Sequence, residues 1–320
     1  FWVKDHLLFI LLFMQFFKNK NFKKVGGIYN FEIKDEKTLK VKDFYKVDPF
    51  PNYEIDDNKL TILNAGNANQ FTKNLKKFID HKKIVLEIGA GTSQLSNYLS
   101  IGNNNLLIAF DGNLESLKIG NTFCEKNNII NVKFVCGDIF DDIFQENTFD
   151  VILCNGVLHH TKNSYEAFKK SVRWLKTNGY IVLGLYNKIG RFRTFFRKWM
   201  YKIFGEKYLM IFDPVLRKIN KKSKRKINAW IKDQYNHPLE RSHTFDEVLK
   251  WFKEENVEFI NSLPQSTIFE KTNREEVFIN LFQKEKKGNF FERILSQIFM
   301  IFQHEGSEGG LFIFIGKKCS

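Results

Sequence analysis

Short apolar runs alternate with stretches of helical periodicity along most of the chain. Such an alternation predicts strands connected by helices, packed as a parallel sheet with helices on both faces. The apolar runs are residues 84–88, 106–111, 132–136, 149–155, 177–187, 257–264 and 310–318. The pattern predicts an α/β fold with a doubly wound sheet of seven strands, six of them parallel and the last one antiparallel.

The same pattern divides the chain of 320 residues into four parts. Residues 1–65 form an N-terminal extension that includes an apolar helix, and residues 66–187 form the cofactor-binding core. Residues 188–243 are a basic insertion after the fifth strand, which we expect to cover the acceptor site. Residues 244–320 complete the core and hold a helical insertion after the sixth strand.

A glycine pair follows the first strand of the predicted core. Gly89 and Gly91 lack a Cβ, so the chain turns tightly there and a ligand can approach the backbone. A helix then begins near Thr92 and presents unpaired N–H groups. A strand, a glycine turn and a helix start in this order predict a nucleotide-type cofactor site at the carboxyl end of the strand.

Spacing separates two kinds of nucleotide-type site. The dinucleotide pattern G-x-G-x-x-G needs a small residue where the chain has Gln94, which disfavours NAD. Glu87 stands two residues before the first glycine, and Glu87 to Ser93 resembles motif I of class I methyltransferases, commonly E/D-x-G-x-G-x-G. Ser93 departs from this motif at its third glycine.

The resemblance implies S-adenosylmethionine (SAM) as cofactor and a role for each strand end. An acidic residue after the second strand, here Asp111, accepts hydrogen bonds from the ribose hydroxyls. Asp138 contacts the adenine amine, and Ile139 flanks the ring. The full set of cofactor contacts implied is Glu87, Gly89, Ala90, Gly91, Asp111, Gly112, Asp138, Ile139 and Asn155.

The residues after the fourth and fifth strands are candidates for the methyl acceptor's site. The segment Leu158-His159-His160 is similar to that of the small-molecule branch, and the Asn/Asp-Pro-Pro-aromatic and Pro-Cys motifs of several base methyltransferases are absent. His159 or His160 is a candidate general base, because imidazole titrates near neutrality, or else it holds the following helix. Tyr186 ends the fifth strand and is expected to face the acceptor.

A polar segment late in the basic insertion is a second source of acceptor-site residues. The chain here resembles a subgroup of bacterial methyltransferase-like proteins of unassigned substrate. The shared segments are Leu185-Tyr186-Asn187, Gly190-Arg191 and DQYNHPLERSH at 233–243. The polar side chains of 233–243 form either a hydrogen-bonded structural clasp or part of the acceptor site, with His237 as the leading base. No metal site is expected.

The charge is concentrated in one part of the chain. Residues 188–226 contain fourteen Lys or Arg and two acids, so they carry +12 of the net charge of +14. Such a module binds phosphates of an anionic membrane surface or of RNA, or is simply solvated. Four aromatic residues of this module are able to stack on bases, but their helical spacing favours packing of the insertion on the core: Phe192, Phe195, Phe196 and Trp199.

An apolar run also lies near the start of the sequence. Residues 7–14 are uninterrupted apolar residues followed by lysines, a pattern that predicts a helix packed on the protein or on a partner, with an interfacial membrane helix as the alternative. Four cysteines without paired ligand spacing, together with SAM, favour the cytoplasm, and a location peripheral to the membrane is a hypothesis.

These observations together predict a SAM-dependent methyltransferase that acts on a small molecule, lipid-like or membrane-associated. One alternative is an RNA methyltransferase that uses residues 188–226 to bind phosphates. Another is a cofactor-binding scaffold that has no transfer activity.

Overall fold

One mixed sheet runs through the part of the chain that the computed structural model describes, namely residues 13–46, 53–218, 224–236, 239–268, 274–302 and 310–320. Its strand order is β1-β2-β5-β4-β3-β6-β7-β9-β8. The strands are β1 (Lys23–Val25), β2 (Ile28–Asn30), β3 (Ile84–Ile88), β4 (Leu106–Asp111), β5 (Val132–Cys136), β6 (Phe149–Asn155), β7 (Leu175–Tyr186), β8 (Val257–Leu263) and β9 (Leu311–Lys318).

Strands β3 to β9 form the part of the sheet that the apolar runs predict. β3 lies between β4 and β6 and is parallel to both. β9 is antiparallel to β7 and to β8, which confirms the predicted direction of the last strand. Because the strand order reverses on either side of β3, a crevice opens at the carboxyl ends of β3 and its neighbours.

The sheet has nine strands, so the expectation of seven is wrong. β1 and β2 form a hairpin at the edge, and β2 runs parallel to β5 with Tyr29 opposite Val135. Gly26 and Gly27 connect the two strands with φ of 55° and 81°, the geometry of a two-residue hairpin turn. Strands of three residues are too short to give an apolar run, and the glycine pair is the signal that indicates them.

Helices cover both faces of the sheet. They are α1 (Glu36–Lys46), α2 (Lys59–Ala68), α3 (Gln70–Ile79), α4 (Gln94–Ser100), α5 (Leu114–Lys126), α6 (Ser164–Trp174), α7 (Phe192–Phe204), α8 (Glu206–Phe212), α9 (Pro214–Lys218), α10 (Lys224–Tyr235), α11 (Phe245–Glu254), α12 (Arg274–Ile279) and α13 (Phe290–Phe299). Side chains of β3 alternate between two cores: Leu86 joins the core under α6 and α11, and Val85 joins the core under α2 to α5.

The basic insertion folds as helices α7 to α10 around a small apolar cluster of its own. Leu209, Leu216 and Trp230 belong to that cluster. The prediction that the aromatic residues of α7 pack on the core is wrong. These side chains are exposed: Phe192 by 63%, Phe195 by 40%, Phe196 by 51% and Trp199 by 56%. Helical spacing shows that one face is apolar, but not what covers it.

The described end of the N-terminal apolar run packs on the protein. Phe13 and Phe17 are buried against Tyr29, and Phe17 stacks on Phe144 with ring centroids 5.7 Å apart. The rest of this run, residues 7–12, lies outside the described residues. Among the helices that are described, none has both the length and the apolarity needed to cross a bilayer.

Candidate active site

A cavity of about 570 Å³ opens at the carboxyl ends of β3, β4, β5 and β6. Its wall includes each residue that the sequence predicts as a cofactor contact: Glu87, Gly89, Ala90, Gly91, Asp111, Gly112, Asp138, Ile139 and Asn155. His160 and Tyr186 lie on the same wall, so the cavity brings the cofactor candidates and two acceptor candidates together.

The turn after β3 has the backbone geometry that its glycines allow. Gly89 has φ +70° and donates its N–H to the carbonyl of Phe110 at 2.8 Å. A Cβ on Gly89 would stand 2.3 Å from Cγ2 of Val157, so a side chain has no room there. Ser93, which replaces the third glycine of the motif, is also in the left-handed region at φ +63°, which explains why glycine suits this position.

Glu87 is held by the first turn of α4. Its Oε2 accepts a hydrogen bond from the N–H of Ser96 at 2.9 Å and a second one from the Ser96 hydroxyl. Burial raises the pKa of Glu87 to about 7 despite these bonds, and the neighbouring Asp111 adds to the increase. The carboxyl group is therefore only partly ionised near pH 7, and a bound cation or hydrogen-bond donor would favour its ionised form.

Asp111 connects the turn after β3 to the turn after β4. Its Oδ2 accepts the N–H of Gly91 at 2.8 Å, and its Oδ1 accepts the N–H of Asn113 at 2.7 Å. Burial raises the pKa of this carboxyl. Gly112 leaves space beside it, because a Cβ there would meet no atom closer than 3.8 Å.

The ends of β5 and β6 complete the cavity wall. Asp138 is 2% exposed and accepts the N–H of Phe140 at 3.0 Å, and Ile139 is buried next to it. Asn155 lies against the backbone of Gly184, where an added Cβ would come 1.8 Å from Asn155 Oδ1.

The two adjacent histidines differ in their position relative to the cavity. His160 lines the cavity, and its Nδ1 lies 2.9 Å from the carbonyl of Leu239, so this nitrogen carries the hydrogen in the neutral ring. Burial lowers the pKa of His160 to about 4. His159 is fully buried, stacks on Tyr186 at 3.8 Å and is not part of the cavity wall.

Tyr186 is fixed by residues of the basic insertion. The Nε2 of Gln234 donates to its hydroxyl at 2.9 Å, and the guanidinium of Arg191 lies 3.6 Å from the centre of its ring. Arg191 is fully buried and donates to the carboxylate of Glu240 at 3.2 Å. Gln234 and Glu240 thus form a hydrogen-bonded clasp with Arg191 around Tyr186.

Other parts of the same segment face away from the cavity or lie outside the description. The hydroxyl of Tyr235 donates to Asp213, and His243 contacts Glu247 through Nδ1 at 2.8 Å and Ser164 through Nε2 at 3.0 Å. His237, the base candidate of this segment, lies outside the described residues. No group of three or more potential metal ligands occurs within the described ranges.

Helix α1 supplies cavity residues that the sequence pattern does not reveal. Lys37, Thr38 and Lys42 line the cavity from this helix. Asp35 caps the helix through the N–H of Thr38 and accepts Lys162 Nζ at 2.7 Å, and the Lys162 bond holds the pKa of Asp35 at about 2. The segment D-E-K-T is a helix-start signal, but only the fold places it above the cavity.

A sequence profile described as a methyltransferase domain matches residues 86–183, which contain the turns after β3, β4, β5 and β6. The chain is 28% identical over 99 residues to a Bacillus subtilis protein named "Uncharacterized methyltransferase YcgJ". This alignment covers 31% of the chain and 39% of the relative, so the chain spans about two fifths of the length of that curated protein.

Solved structures share the architecture at low sequence identity. PKMT2 from Rickettsia typhi in complex with AdoHcy superposes with a TM-score of 0.55 at 12% identity, over 78% of this chain and 52% of that one. A second structure of PKMT2 gives a TM-score of 0.52 at 12% identity, over 81% and 52% of the two chains. At these identities the similarity concerns the fold.

Proposed function

We propose that this chain, whose residues 86–183 form a domain of the class I SAM-dependent methyltransferases, transfers a methyl group to a small-molecule acceptor bound in the cavity. The observation that carries the proposal is the convergence of Glu87, Asp111 and Asp138 on one cavity wall, at the ends of three adjacent strands. Acids at three strand ends give a ligand three separate points of recognition.

The residues present fit the cofactor in their chemistry. Asp111 accepts hydrogen bonds only, which suits the paired hydroxyls of a ribose, and Asp138 can accept from an amine. Glu87 offers negative charge to a cationic amino acid group, which would offset the burial that raises the pKa of its carboxyl. Bound SAM would supply an electrophilic methyl group, since its positively charged sulfur can leave as a neutral thioether when a nucleophile attacks the methyl carbon.

His160 is our candidate for the base that takes the acceptor's proton. Its Nδ1 hydrogen is directed to Leu239, so the lone pair of the neutral ring lies on Nε2. Because burial lowers the pKa of His160 to about 4, the ring is neutral at physiological pH. The same shift makes it a weak base, which suits an acceptor whose proton becomes strongly acidic as the methyl group is transferred. His159, stacked behind Tyr186, takes a packing role in this scheme, and His237 stays a candidate on sequence grounds.

The acceptor side of the cavity is formed jointly by the core and the basic insertion. Tyr186 comes from the end of β7, and Leu239 comes from the polar segment of the insertion. Tyr186 precedes the first residue of α7 by six positions, and Glu240, next to Leu239, is bonded to Arg191 at the start of that helix. In this proposal the insertion therefore covers the acceptor site. We further propose that the acceptor is lipid-like, because Leu239 and Leu311 present apolar surface to it.

The test is incubation of the purified chain with methyl-labelled SAM and a cell extract, with and without ribonuclease treatment of the extract. Label that survives ribonuclease and enters the organic-soluble fraction supports the proposal. Label that disappears with the RNA would overturn the acceptor class in favour of an RNA methyltransferase. Normal SAM binding without label in any fraction would favour the non-catalytic scaffold.

A further inference from the structure

Exposed apolar side chains are concentrated on two parts of the described surface. Among the eighteen large hydrophobic residues that are exposed there, eight lie on α7 and α8 and six lie between residues 290 and 302. Scattered single residues of this kind are normal on a soluble surface, whereas clusters mark interaction sites.

The exposed residues of α7 form a continuous stripe. At 3.6 residues per turn, Phe192, Phe195, Phe196, Trp199 and Ile203 fall within an arc of about 100°. The opposite side of the helix is fixed to the protein: Thr194 is buried, and Arg197 donates to the hydroxyl of Tyr235 at 3.1 Å. The apolar stripe therefore faces outward because the inward side is already occupied.

Helix α13 has a second outward stripe next to the first. Phe291, Leu295 and Phe299 are exposed by 77%, 40% and 53%, on the side opposite to the buried Gln297. The C-terminal end of α13 meets the start of α7, where Arg193 donates to the carbonyl of Ile301 at 3.5 Å. The ends of the two helices therefore lie side by side, and we call the two stripes together the apolar face.

Basic residues border the apolar face. On the helical projection of α7, exposed Arg193 lies on one side of the stripe and exposed Lys202 lies on the other. The helix contains no acidic residue, and the exposed pair Glu206 and Lys207 that follows it carries no net charge. An apolar stripe with a cation on either side is the pattern of a helix that lies in the headgroup region of an anionic membrane.

We propose that the apolar face docks the protein on an anionic bilayer, with α7 and α13 lying in the plane of the interface. A second copy of the chain is disfavoured as the occupant, because a symmetric contact would bring the basic borders against each other. RNA is disfavoured because Ile203 and Leu295 within the stripes cannot stack on bases.

This inference deepens the proposed function, on which its account of the acceptor rests. β7 ends at Tyr186 on the cavity wall, and α7 begins six residues later at Phe192. A docked α7 would therefore bring the acceptor side of the cavity to the bilayer, where a lipid-like acceptor is found. Docking itself does not depend on catalysis and can be measured without turnover.

The experiment measures binding of the full chain to vesicles of phosphatidylcholine alone and to vesicles containing phosphatidylglycerol, by flotation. We expect binding to the anionic vesicles, and at least a tenfold loss in the variant F195S/F196S. The matched control I55S/I130S removes two exposed apolar residues elsewhere and should bind normally. The variant R193Q/K202Q should bind anionic vesicles roughly 25-fold more weakly, whereas K73Q/K77Q on α3 should not.

A second readout locates the contact. Trp199 is exposed while Trp174, Trp230 and Trp251 are buried, so its emission should shift to shorter wavelength when vesicles are added. Trp2, which lies outside the described residues, is replaced by Phe in all samples of this readout.

Four outcomes would overturn the docking proposal, three of them in the binding and oligomeric state of the chain and its variants. These three are no binding to either vesicle, equal losses in the test and control variants, and a dimer in solution that F195S/F196S dissociates. High-affinity RNA binding that depends on the same phenylalanines would also overturn it. Intact SAM binding in F195S/F196S separates a failure of docking from a failure of the proposed function.

Discussion

Glu87 and Asp111 lie on the same cavity wall, and burial raises the pKa of both. The hydrogen bonds from Ser96, Gly91 and Asn113 offset this effect only in part. A ligand that brings positive charge and hydroxyl donors would stabilise the ionised forms. The wall is therefore complementary in charge to a cationic nucleoside such as SAM.

The raised pKa of Glu87 predicts how cofactor affinity depends on pH. A cationic ligand favours the ionised carboxylate, so below the pKa of about 7 binding must first remove a proton. Affinity for SAM should fall as pH decreases from 7, by up to about tenfold per pH unit, and should be nearly constant above pH 8. Calorimetric titration between pH 5.5 and 8.5 measures this dependence.

The control for the pH dependence is Glu87→Gln, which cannot ionise. This variant should bind SAM more weakly at pH 8 and show a flat profile. A slope that persists in Glu87→Gln would assign the titration to another group and contradict our interpretation of Glu87.

Removal of the Asp111 carboxylate should weaken SAM binding by about 1–3 kcal/mol, the usual cost of leaving hydrogen-bond partners unpaired. The measurement compares dissociation constants of Asp111→Ala and of Asp56→Ala, which removes an exposed carboxylate elsewhere. Equal affinities of the two variants would exclude Asp111 from the cofactor site.

The variant His160→Asn distinguishes catalysis from structural support. An asparagine amide can still donate to the Leu239 carbonyl in place of Nδ1, but it has no equivalent of the basic Nε2. With an acceptor identified, we expect kcat to fall about 10²–10⁴-fold with little change in KM for SAM. Activity close to that of the control His81→Asn would show that the Leu239 bond is what matters.

At the scale of the element, the turn after β3 owes its shape to glycine. Gly89→Val should abolish SAM binding, because φ is +70° and the new side chain would collide with Val157. Gly102→Val is the matched control: φ is +79° there, but a Cβ would meet no atom within 4 Å. The positive φ should cost both variants about 1–2 kcal/mol of stability in thermal unfolding. The collision with Val157 should cost Gly89→Val a further amount, and only Gly89→Val should lose the cofactor. If Gly89→Val still bound SAM, the turn after β3 would not be part of the cofactor site.

The elements that the sequence predicts correctly have one property in common. Each is indicated by neighbouring residues of the sequence, whose conformation does not depend on distant parts of the chain. A buried strand followed by a glycine turn, as at Gly89, fixes a ligand site because the sheet always presents its carboxyl edge there. The phenylalanines of α7 carry a weaker signal. Their spacing defines a face, but the neighbour of that face depends on residues far along the chain, and the prediction that they pack on the core is wrong.

At the scale of the whole molecule, the N-terminal segment belongs to the core. Phe17 is fully buried among Phe13, Tyr29 and Phe144. Phe17→Ala should therefore destabilise the protein by about 3–5 kcal/mol, as measured by denaturant unfolding. Ile130→Ala, at a residue 72% exposed, should have little effect. A small loss in Phe17→Ala would mean that the segment is only loosely attached.

The sequence predicts the central seven strands and the cavity wall, but not the contributions of the N-terminal segment. The β1–β2 hairpin and α1 are attached by contacts such as Tyr29 with Val135 and Asp35 with Lys162, whose partners are more than 100 residues apart. No local pattern contains such a pair. Lys37, Thr38 and Lys42 of α1 could be found on the cavity wall only in the folded chain.

The pairing of β2 with β5 also has a consequence for how the protein is made. During translation the hairpin leaves the ribosome before β5 is synthesised. The backbone N–H and C=O groups of β2 that pair with β5 therefore stay unpaired until about a hundred more residues have been made. Contacts of such sequence separation form slowly. We expect nascent chains that stop before residue 132 to keep this edge open and to require chaperones, whereas chains that include β5 become protease-resistant.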